Sequence, residues 1–596
     1  MASETYDIII IGGGTAGLVL ANRPSEDPKL QVLVLESGGT TKSDNLTPGA
    51  WPMLTASPDN WTFQVAPQAD IPRQFVIPQG KALGGSSSIN SFLFTSTSKA
   101  NVEAWKSLGN EGWDYAAYEA ALKKSFTLHK PGEGNATEGQ GPLQLTAATP
   151  ESASFWGKAW VEGLASLGYP QTDPLSGRLG GPNLAAERID PKTKQRSYAA
   201  SAYLDPIRER RSNLTVQTGA TVTKILVEKH ATATGEAVAK GVQILTQTNG
   251  VQTIGARNEV ILSAGAINSP RILELSGIGG ADLLQSLGIE VVVDNPYVGE
   301  NLQNHPFTGI VFEAHDDVET IDAFFRQEPE AVAKAMQDYA KGTGPLSTSN
   351  LINMAQLPLP EFHTEEGRQE LDRLLEAAST IPTSTPAFAA AHEAYVRSAL
   401  TDPSGEAVGN YVFGEGYAPF DAPAAYRAPG KHVSVAVELS HPLSRGSVHL
   451  TSAAPEKAGT GEGVRVDLGV LAHPLDLEVL ARQLRFTEDL VCRAAPLTQY
   501  LKLGQGQKEG KRRFADLEVA REYVRRTVDA AYHYTGTCAM MPRALGGVVD
   551  GRLRVHGCAN LRVCDASVIP LEPTANPQAV VYAVAEMGAG FIKEDI

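Results

Sequence analysis

The segment Gly12–Gly17 has the residue types and the spacing that suit dinucleotide binding. It fits the pattern G-x-G-x-x-G, and Glu36 follows 19 residues after its last glycine. Glycines let backbone N–H groups and a helix N-terminus approach a pyrophosphate, and a carboxylate placed after them accepts hydrogen bonds from two ribose hydroxyls. The pattern leaves FAD and NAD both open. It predicts a dinucleotide site that includes Gly12, Gly14, Thr15, Ala16, Gly17 and Glu36.

The residues around this segment predict the elements that would hold it. Tyr6–Ile11 is an apolar run typical of a buried strand, Leu18–Pro24 has helical spacing, and Gln31–Leu35 predicts a second strand. Residues 6–36 are therefore expected to form a complete β-α-β unit, with the glycines in the turn between the first strand and the helix.

Two further segments rich in small residues follow along the chain. Gly80–Asn90 has glycines that let the backbone pass close to a flat ligand and serines that can bond its edge, although such a loop taken alone is more often a linker. Val260–Ser263 predicts another buried strand, and Gly265–Gly279 continues it with a turn and a helix. The order of elements at the N-terminus is thus repeated.

His533 and Asn576 are the C-terminal side chains that could act directly on a substrate. A histidine flanked by aromatic residues is more often packed in a core, and an Asn-Pro pair is more often part of a turn. Residue type alone therefore favours structural roles for both.

Together these segments resemble the glucose-methanol-choline (GMC) family of flavoprotein oxidoreductases. Residues 80–105 are similar to the first signature of that family, and Gly265–Gly279 fits the second signature throughout. Further similar segments are RSYAASAYL (196–204), VGENLQNHP (298–306), PLSRGSV (442–448) and the C-terminal block 533–578.

The resemblance implies FAD as the cofactor and assigns residues to it. Val222 would bond the adenine through its backbone, and Asp565 with Ala566 would meet the pyrophosphate and the ribityl chain. The flavin itself would be lined by Ser86, Asn90, Ser91, Leu93, Pro577 and Gln578.

The resemblance also reverses the interpretation of the C-terminal pair. His533 and Asn576 would be catalytic, and Tyr532 and Phe92 would contact the substrate. Oxidation of an alcohol by hydride transfer needs a base beside the hydroxyl, which His533 would supply, while Asn576 would hold the oxygen by a hydrogen bond. The expected reaction is FAD-dependent oxidation of a small or aromatic primary alcohol to its aldehyde. Hydride would pass to flavin N5, and dioxygen or a quinone-like acceptor would reoxidise the flavin.

Three positions depart from the family pattern. Members with covalently attached flavin have a histidine where this chain has Ile89, so we expect non-covalent FAD. Thr97 replaces a small residue or proline, which we expect to alter the loop over the flavin without preventing binding. Asn304 replaces an aspartate and removes a charge, with no consequence that its residue type indicates.

The predicted fold class is α/β, with a Rossmann-type FAD-binding domain and a discontinuous substrate-binding domain built on an antiparallel sheet flanked by helices. Residues 317–430 match no named pattern and predict acidic helices and loops with little sign of a parallel sheet. The FAD-binding domain is expected to comprise residues 1–45, 75–105, 205–310 and 533–596, and the substrate-binding or cap domain residues 46–74, 106–204 and 311–532.

Composition limits the class of protein and its partners. The 596 residues are 42% hydrophobic and 20% charged, which is enough for a large core. The net charge of −16 and the absence of a long basic tract argue against nucleic acid and anionic membrane surfaces as partners. No apolar stretch approaches the roughly 20 residues of a membrane span. The N-terminus lacks signal-peptide features, so the chain as written is expected to be intracellular, or secreted if a signal peptide was removed.

Other candidate chemistry receives simpler interpretations. Glu438, Ser440 and His441 suggest a hydrolase, but no G-x-S-x-G motif precedes them, and a polar strand edge is the favoured interpretation. No metal is predicted, because neither the histidines nor the cysteines have metal-ligand spacing.

Other function classes remain open at this stage. Non-redox lyase or cyclase chemistry on the same flavoprotein scaffold is the main alternative. A non-catalytic flavin-binding module would leave the His533 and Asn576 pair unexplained, and the two later signatures argue against an NAD dehydrogenase. Sequence alone leaves the oligomeric state undetermined.

Overall fold

The structure of the protein is a computed structural model. It describes residues 4–57, 60–130, 138–149, 151–229, 232–246, 250–378, 386–402, 406–423, 425–508 and 510–596.

The strands lie in two groups along the chain. The first group comprises β1 (Thr5–Ile11), β2 (Val32–Leu35), β3 (Trp61–Gln64), β4 (Val76–Gln79), β5 (Leu93–Phe94), β6 (Phe126–His129), β7 (Glu138–Gly139), β8 (Leu143–Thr146), β9 (Gly181–Leu184), β10 (Ala186–Glu187), β11 (Leu214–Gln217), β12 (Ala220–Glu228), β13 (Val238–Thr246) and β14 (Gly250–Leu262). The second comprises β15 (Ile278–Gly279), β16 (Val293–Asp294), β17 (Pro306–Glu313), β18 (Asn353–Leu357), β19 (Gly409–Gly414), β20 (His432–Leu439), β21 (Ser447–Leu450), β22 (Val464–Asp467), β23 (Asp529–Ala530) and β24 (Leu561–Val563).

The helices are distributed along the whole chain. They are α1 (Thr15–Asn22), α2 (Trp51–Leu54), α3 (Lys99–Ser107), α4 (Tyr115–Ser125), α5 (Phe155–Ser166), α6 (Gly265–Leu275), α7 (Ala281–Ser286), α8 (Asp322–Phe325), α9 (Pro329–Tyr339), α10 (Glu365–Ala378), α11 (Pro386–Thr401), α12 (Pro474–Arg493), α13 (Gln505–Lys508), α14 (Leu517–Thr527) and α15 (Gln578–Asp595). Among the described helices, none combines the length and the apolar composition needed to cross a membrane.

The first sheet has the strand order of a dinucleotide-binding fold. Strands β11, β2, β1 and β14 lie side by side in that order and are parallel to each other, with β24 parallel to the far side of β14. The N-terminal half of β14 continues into an antiparallel extension with β13 and β12. Strands β1 and β2 are apolar because both faces of the sheet are buried along most of their length. The Rossmann-type part of the fold prediction is confirmed.

The second large sheet is antiparallel, with strand order β23, β17, β20, β19, β18 and β9. Helices α12 and α14 pack against β17, and α12 also packs against β20. Strands β18 and β19 come from residues 317–430, the block whose sequence shows little sign of a sheet. Both strands are almost fully buried, so they lack the polar alternation that reveals a half-exposed strand.

Each sheet has its own hydrophobic core. Buried residues of β1, β2 and β14 share one cluster with α15, and buried residues of β17, β20 and α12 share another. Tyr118, Leu145 and Tyr203 belong to the first cluster, although residues 106–204 are predicted for the substrate-binding domain. The domain boundaries themselves remain a prediction.

The packing of α1 against the glycine-rich turn generates a testable prediction. A Cβ on Gly17 would lie 1.9 Å from the backbone oxygen of Gly12, so the helix could not keep its position. We expect Gly17→Ala to lower the free energy of unfolding by about 1–3 kcal/mol or more, because overpacking forces backbone shifts. Urea unfolding followed by circular dichroism measures this change.

The matched control is Gly39→Ala, because a Cβ at Gly39 meets no atom within 4 Å. Its stability should be within about 0.5 kcal/mol of the parent protein. Equal stability of the two variants would contradict the assigned contact.

Candidate active site

One large cavity extends from the parallel sheet to the C-terminal segments that carry His533 and Asn576. It begins at the carboxyl ends of β1 and β2, where Ile11 and Leu35 line it, and reaches His533 and Asn576 at the other end. This is the position at which doubly wound sheets bind ligands. Its empty space, including the open mouth, is about 1820 Å³.

Most of the residues predicted for the site line this cavity. They are Gly12, Gly14, Thr15, Ala16, Glu36, Ser86, Asn90, Ser91, Leu93, Val222, Tyr532, His533, Asp565, Ala566, Asn576, Pro577 and Gln578. Two predicted residues, Gly17 and Phe92, are not among the lining residues in the described part of the chain.

Gly17 and Phe92 lie away from the cavity for different physical reasons. Gly17 faces the turn below it, so its small size serves helix packing. Phe92 is fully buried and lies under the guanidinium of Arg196, whose Cζ is 3.6 Å from the ring centroid. Its backbone has a positive φ of 71°, a conformation that is rare for an aromatic residue. Substrate contact by Phe92 therefore has no support from its position.

Two glycine loops meet at the dinucleotide end of the cavity. Gly12 has φ of 104°, and a Cβ there would lie 2.4 Å from the backbone oxygen of Ser263. Gly85, in the second loop, has φ of 51°, and its Cβ would lie 2.8 Å from the Cα of Gly14. Only glycine allows this approach, which leaves backbone N–H groups beside the space a pyrophosphate would fill.

Glu36 closes this end of the cavity at the end of β2. Its two carboxylate oxygens accept hydrogen bonds from the backbone N–H groups of Gly13 and Gly38, each at 2.8 Å. Burial raises the pKa of Glu36 to about 7, although both hydrogen bonds act in the opposite direction. Each oxygen retains acceptor capacity, so the side chain suits ribose hydroxyls.

Asp565 joins the C-terminal segment to α6. One of its oxygens accepts from the N–H of Gly265 at 2.8 Å and the hydroxyl of Ser269 at 2.6 Å, and the other accepts from the N–H of Ser567 at 2.8 Å. The side chain therefore holds two signature segments together at the cavity wall.

The position of His533 is fixed by the positive φ of the residue that precedes it and by a hydrogen bond to Asn304. Tyr532, the preceding residue, has a positive φ of 63°, a conformation that costs energy for an aromatic residue and is found mainly at functional sites. The N–H of His533 donates to Oδ1 of Asn304 at 2.9 Å. Asn304, the position where the family has aspartate, thus supplies the acceptor that positions the backbone of His533.

His305 determines which nitrogen of His533 carries the proton. Its Nε2 lies 2.8 Å from the oxygen of Pro573 and 3.2 Å from that of Ser440. Carbonyl oxygens only accept, so Nε2 of His305 must be the protonated nitrogen. Burial and the nearby His441 lower the pKa of His305 to about 3, so the ring is neutral and its Nδ1 is an acceptor.

The consequence for His533 is a fixed tautomer. Its Nδ1 lies 2.8 Å from Nδ1 of His305 and must donate to it, which leaves Nε2 without a proton. Nε2 lies 3.0 Å from Nδ2 of Asn576, at the cavity surface. Burial, together with His305, holds the pKa of His533 well below its ordinary value of 6.5. His533 is therefore a neutral base whose lone pair points to Asn576 and the cavity.

Two buried carboxyl groups complete the surroundings of this histidine pair. Burial raises the pKa of Glu438 to about 7 and that of Glu572 to about 8. Glu438 accepts from Nδ2 of Asn410 at 2.7 Å, and Glu572 lies 3.9 Å from Nε2 of His305.

His305 and Glu438 are site residues that the sequence interpretation missed. The interpretation of Glu438, Ser440 and His441 as a polar strand edge is wrong, because all three are buried and β20 lies between β17 and β19. His305 stands in the segment VGENLQNHP, and Glu438 at the end of a strand, but only the pairing of β17 with β20 brings them together.

His305, Glu438 and His533 have potential metal ligands within 4.8 Å of one another. The two Nδ1 atoms already share a hydrogen bond, and Nε2 of His305 is occupied by carbonyl oxygens. These nitrogens are therefore used within the protein.

The fold and this site define a class of protein, namely dinucleotide-dependent oxidoreductases of the two-sheet flavoprotein type. Models of the GMC oxidoreductase family match residues 6–307 with the N-terminal part and residues 442–585 with the C-terminal part. The GMC oxidoreductase family protein Mala s 12 of Malassezia sympodialis is 32% identical, over 99% of this chain and 92% of its own length. The chain therefore belongs to the GMC oxidoreductase family.

Solved structures agree with this assignment. An FAD-dependent oxidoreductase from Chaetomium thermophilum is similar with a TM-score of 0.84 and 26% identity, covering 99% of each chain. A fungal aryl-alcohol oxidase is similar with a TM-score of 0.81 and 25% identity, covering 100% of each chain. The protein is an FAD-dependent enzyme of this family, and its glycine loops, Glu36 and the length of the cavity fit that cofactor.

The hydrogen bond between the two histidines generates a prediction for a positioning residue. His305→Phe keeps a ring in the buried space but removes the acceptor for Nδ1–H of His533. Flavin reduction by substrate should slow about tenfold or more, the equivalent of one lost hydrogen bond. The substrate dissociation constant should change much less. Anaerobic stopped-flow absorbance separates the two quantities.

His305→Gln is the matched variant, because its amide oxygen restores an acceptor near the same position. It should recover most of the reduction rate. Equal losses in both variants would mean that His305 acts only through packing.

Proposed function

We propose that the protein oxidises a small or aromatic primary alcohol to its aldehyde, with His533 as the base. The observation that carries this proposal is the unprotonated Nε2 of a neutral histidine at the cavity surface, 3.0 Å from the amide of Asn576. A base and a hydrogen-bond donor so close together can share one hydroxyl group between them.

The residues divide the work of alcohol oxidation as follows. The alcohol loses a hydride from carbon and a proton from oxygen, so that the C–O single bond becomes the carbonyl of the aldehyde. FAD, when bound, supplies the hydride acceptor. Nε2 of His533 takes the proton, and Nδ2 of Asn576 donates to the alcohol oxygen and orients it.

The hydrogen bond to His305 persists during proton transfer. Nδ1–H of His533 stays bonded to Nδ1 of His305 when Nε2 is protonated, so the imidazolium keeps that partner. The same positive charge would stabilise negative charge on dioxygen in the reoxidation step. We propose dioxygen or a quinone-like compound as the acceptor.

The cavity wall supports aromatic alcohols within this class. Trp51, Trp61 and Tyr532 contribute aromatic surface to the lining, and Tyr532 stands directly beside the base. Aromatic rings pack well against such walls, in offset or edge-to-face geometry. The structural similarity to an aryl-alcohol oxidase supports the same substrate class.

Non-covalent attachment of FAD is part of the proposal. Ile89 lines the cavity at the position where the covalent members of the family have histidine. An isoleucine side chain carries no nucleophile that could bond the flavin ring.

A panel of primary alcohols under anaerobic conditions tests the function. Aromatic and small aliphatic alcohols should bleach the flavin absorbance, and admission of air or addition of a quinone should restore it. Turnover of a compound with the flavin always oxidised would instead support lyase or cyclase chemistry. No bleaching by any alcohol would overturn the proposal.

The catalytic pair generates a graded prediction. His533→Ala should lower the rate of flavin reduction by about 10²-fold or more with FAD still bound, because the proton then has no acceptor. Asn576→Ala should have a smaller effect, since it only orients the oxygen. An equal or larger loss for Asn576→Ala would reverse the assigned roles.

The pH profile of flavin reduction tests the same base. Only the neutral form of His533 accepts a proton, so the rate should be constant at neutral pH and fall as pH drops through the lowered pKa, below 6.5. A change in the rate near pH 7 or 8 would instead implicate Glu438 or Glu572, because the raised pKa values of these two carboxyl groups are about 7 and about 8.

The state of the flavin has a direct measurement. Acid precipitation should release FAD into the supernatant, leaving a colourless pellet. Ile89→His, which introduces a nucleophile, is the comparison variant. Colour retained in the pellet of the parent protein would disprove non-covalent binding.

A further inference from the structure

We propose that Arg188 and Arg196 form a buried cationic pair that acts through Asn90 and Gln578 to make the bound flavin easier to reduce. This inference rests on FAD binding in the cavity and does not depend on an alcohol being the substrate.

Both guanidinium groups are fully buried behind the loop that carries Asn90. Arg188 donates to the backbone oxygens of Ser87, at 3.2 Å, and Ser197, at 3.0 Å, and also to Oδ1 of Asn90. Arg196 donates to the backbone oxygen of Ser87 at 3.2 Å and to Oδ1 of Asn90 at 3.1 Å. The two arginines therefore share the same amide oxygen.

The positive charge of this pair is not neutralised locally. Within the described residues, the partners of the two guanidiniums are backbone and amide oxygens, and no carboxylate lies at ion-pair distance. Burial lowers the pKa of Arg188 to about 10, and burial with repulsion from Arg188 lowers that of Arg196. An arginine still keeps its proton at neutral pH.

The surroundings show how the protein tolerates these charges. The ring of Phe92 lies 3.6 Å from Cζ of Arg196 and offers its negative face. Nε of Arg188 and Nη2 of Arg196 nevertheless remain without a hydrogen-bond partner. Burying a charge whose hydrogen-bonding groups are incompletely paired costs free energy of folding. This cost indicates that the two arginines have a function elsewhere in the structure.

Asn90 is polarised by the arginine pair and connects it to the cavity through hydrogen bonds. Its Oδ1 accepts from both arginines, and its Nδ2 donates to Oε1 of Gln578 at 2.7 Å. Nε2 of Gln578 is buried and has no partner among the described residues, and Gln578 lines the cavity. The hydrogen bonds from the arginines to Asn90 and from Asn90 to Gln578 are therefore all donated in the same direction, toward the cavity.

Helix α15 adds to the same effect. Gln578 is its first residue, and the helix runs for 18 residues to Asp595. The N-terminus of a helix carries a partial positive charge. A ligand edge next to Gln578 therefore meets an unpaired N–H donor, a helix N-terminus and the field of the two arginines.

The flavin has the matching chemistry. The pyrimidine half of its ring carries carbonyl oxygens, and uptake of two electrons with one proton leaves one negative charge there. The arginine pair should stabilise the reduced form more than the neutral oxidised form. Removal of either positive charge should therefore lower the reduction potential.

The test measures the midpoint potential of bound FAD by equilibration with a reference dye, without any alcohol. Arg188→Met and Arg196→Met should each shift the two-electron reduction equilibrium at least tenfold toward oxidised flavin, which is about 30 mV. The dissociation constant for sulfite, whose binding leaves negative charge on flavin, should rise at least tenfold in the same variants.

The matched control is Arg271→Met. Arg271 lines the same cavity and is also buried, and its hydrogen-bond acceptors among the described residues are the backbone oxygens of Lys457, Thr460 and Glu462. Its neighbours in the wall are Ile272 and Leu275, on the adenosine side marked by Val222. It should shift both equilibria less than threefold. A shift equal to that of the Arg196 variant would mean that charge anywhere in the wall has the same effect.

Gln578→Leu tests the relay itself, with both arginines in place, and decides the matter if the arginine variants do not fold. It should shift the potential in the same direction by at least threefold. Combined with Arg196→Met, it should give less than the sum of the two single shifts, because the residues act in series. Unchanged potentials in the folded variants, or an additive double variant, would overturn the proposal.

Discussion

The hydrogen bond between the Nδ1 atoms of His305 and His533 is the contact on which the proposed chemistry depends. Its direction is not free, because the two carbonyl oxygens at Nε2 of His305 require a proton on that nitrogen. In the proposed mechanism a neutral histidine takes the place that a carboxylate has in catalytic triads. Burial, together with His305, holds the pKa of His533 well below its ordinary value.

The two carbonyl groups that fix this tautomer belong to separate parts of the fold. Ser440 follows β20 of the antiparallel sheet, and Pro573 lies in the C-terminal segment just before α15. Asn304, which holds the backbone of His533, immediately precedes His305 and β17. The proposed base is therefore positioned by residues next to β17 and β20 and by the segment that precedes α15.

Local patterns predict one part of the site and long-range packing decides the other. The glycine loop, Glu36, His533 and Asn576 belong to short segments with strong signatures, and all line the cavity. His305 and Glu438 are 133 residues apart and meet only through the register of β17 with β20. Phe92 is buried beneath the guanidinium of Arg196 and is not among the described residues that line the cavity, so the substrate contact that the family resemblance implies stays a prediction.

The two ends of the cavity differ in charge, and the difference suits the proposed hydride transfer. Behind His533, the ring of His305 is neutral, and the raised pKa values of Glu438 and Glu572, about 7 and about 8, keep a large part of each carboxyl protonated near neutral pH. Behind Asn90 are two arginines without a carboxylate partner in the described residues. Hydride transfer sends negative charge to the flavin and a proton to the base. A positive field on the flavin side and a neutral acceptor on the substrate side both favour that separation.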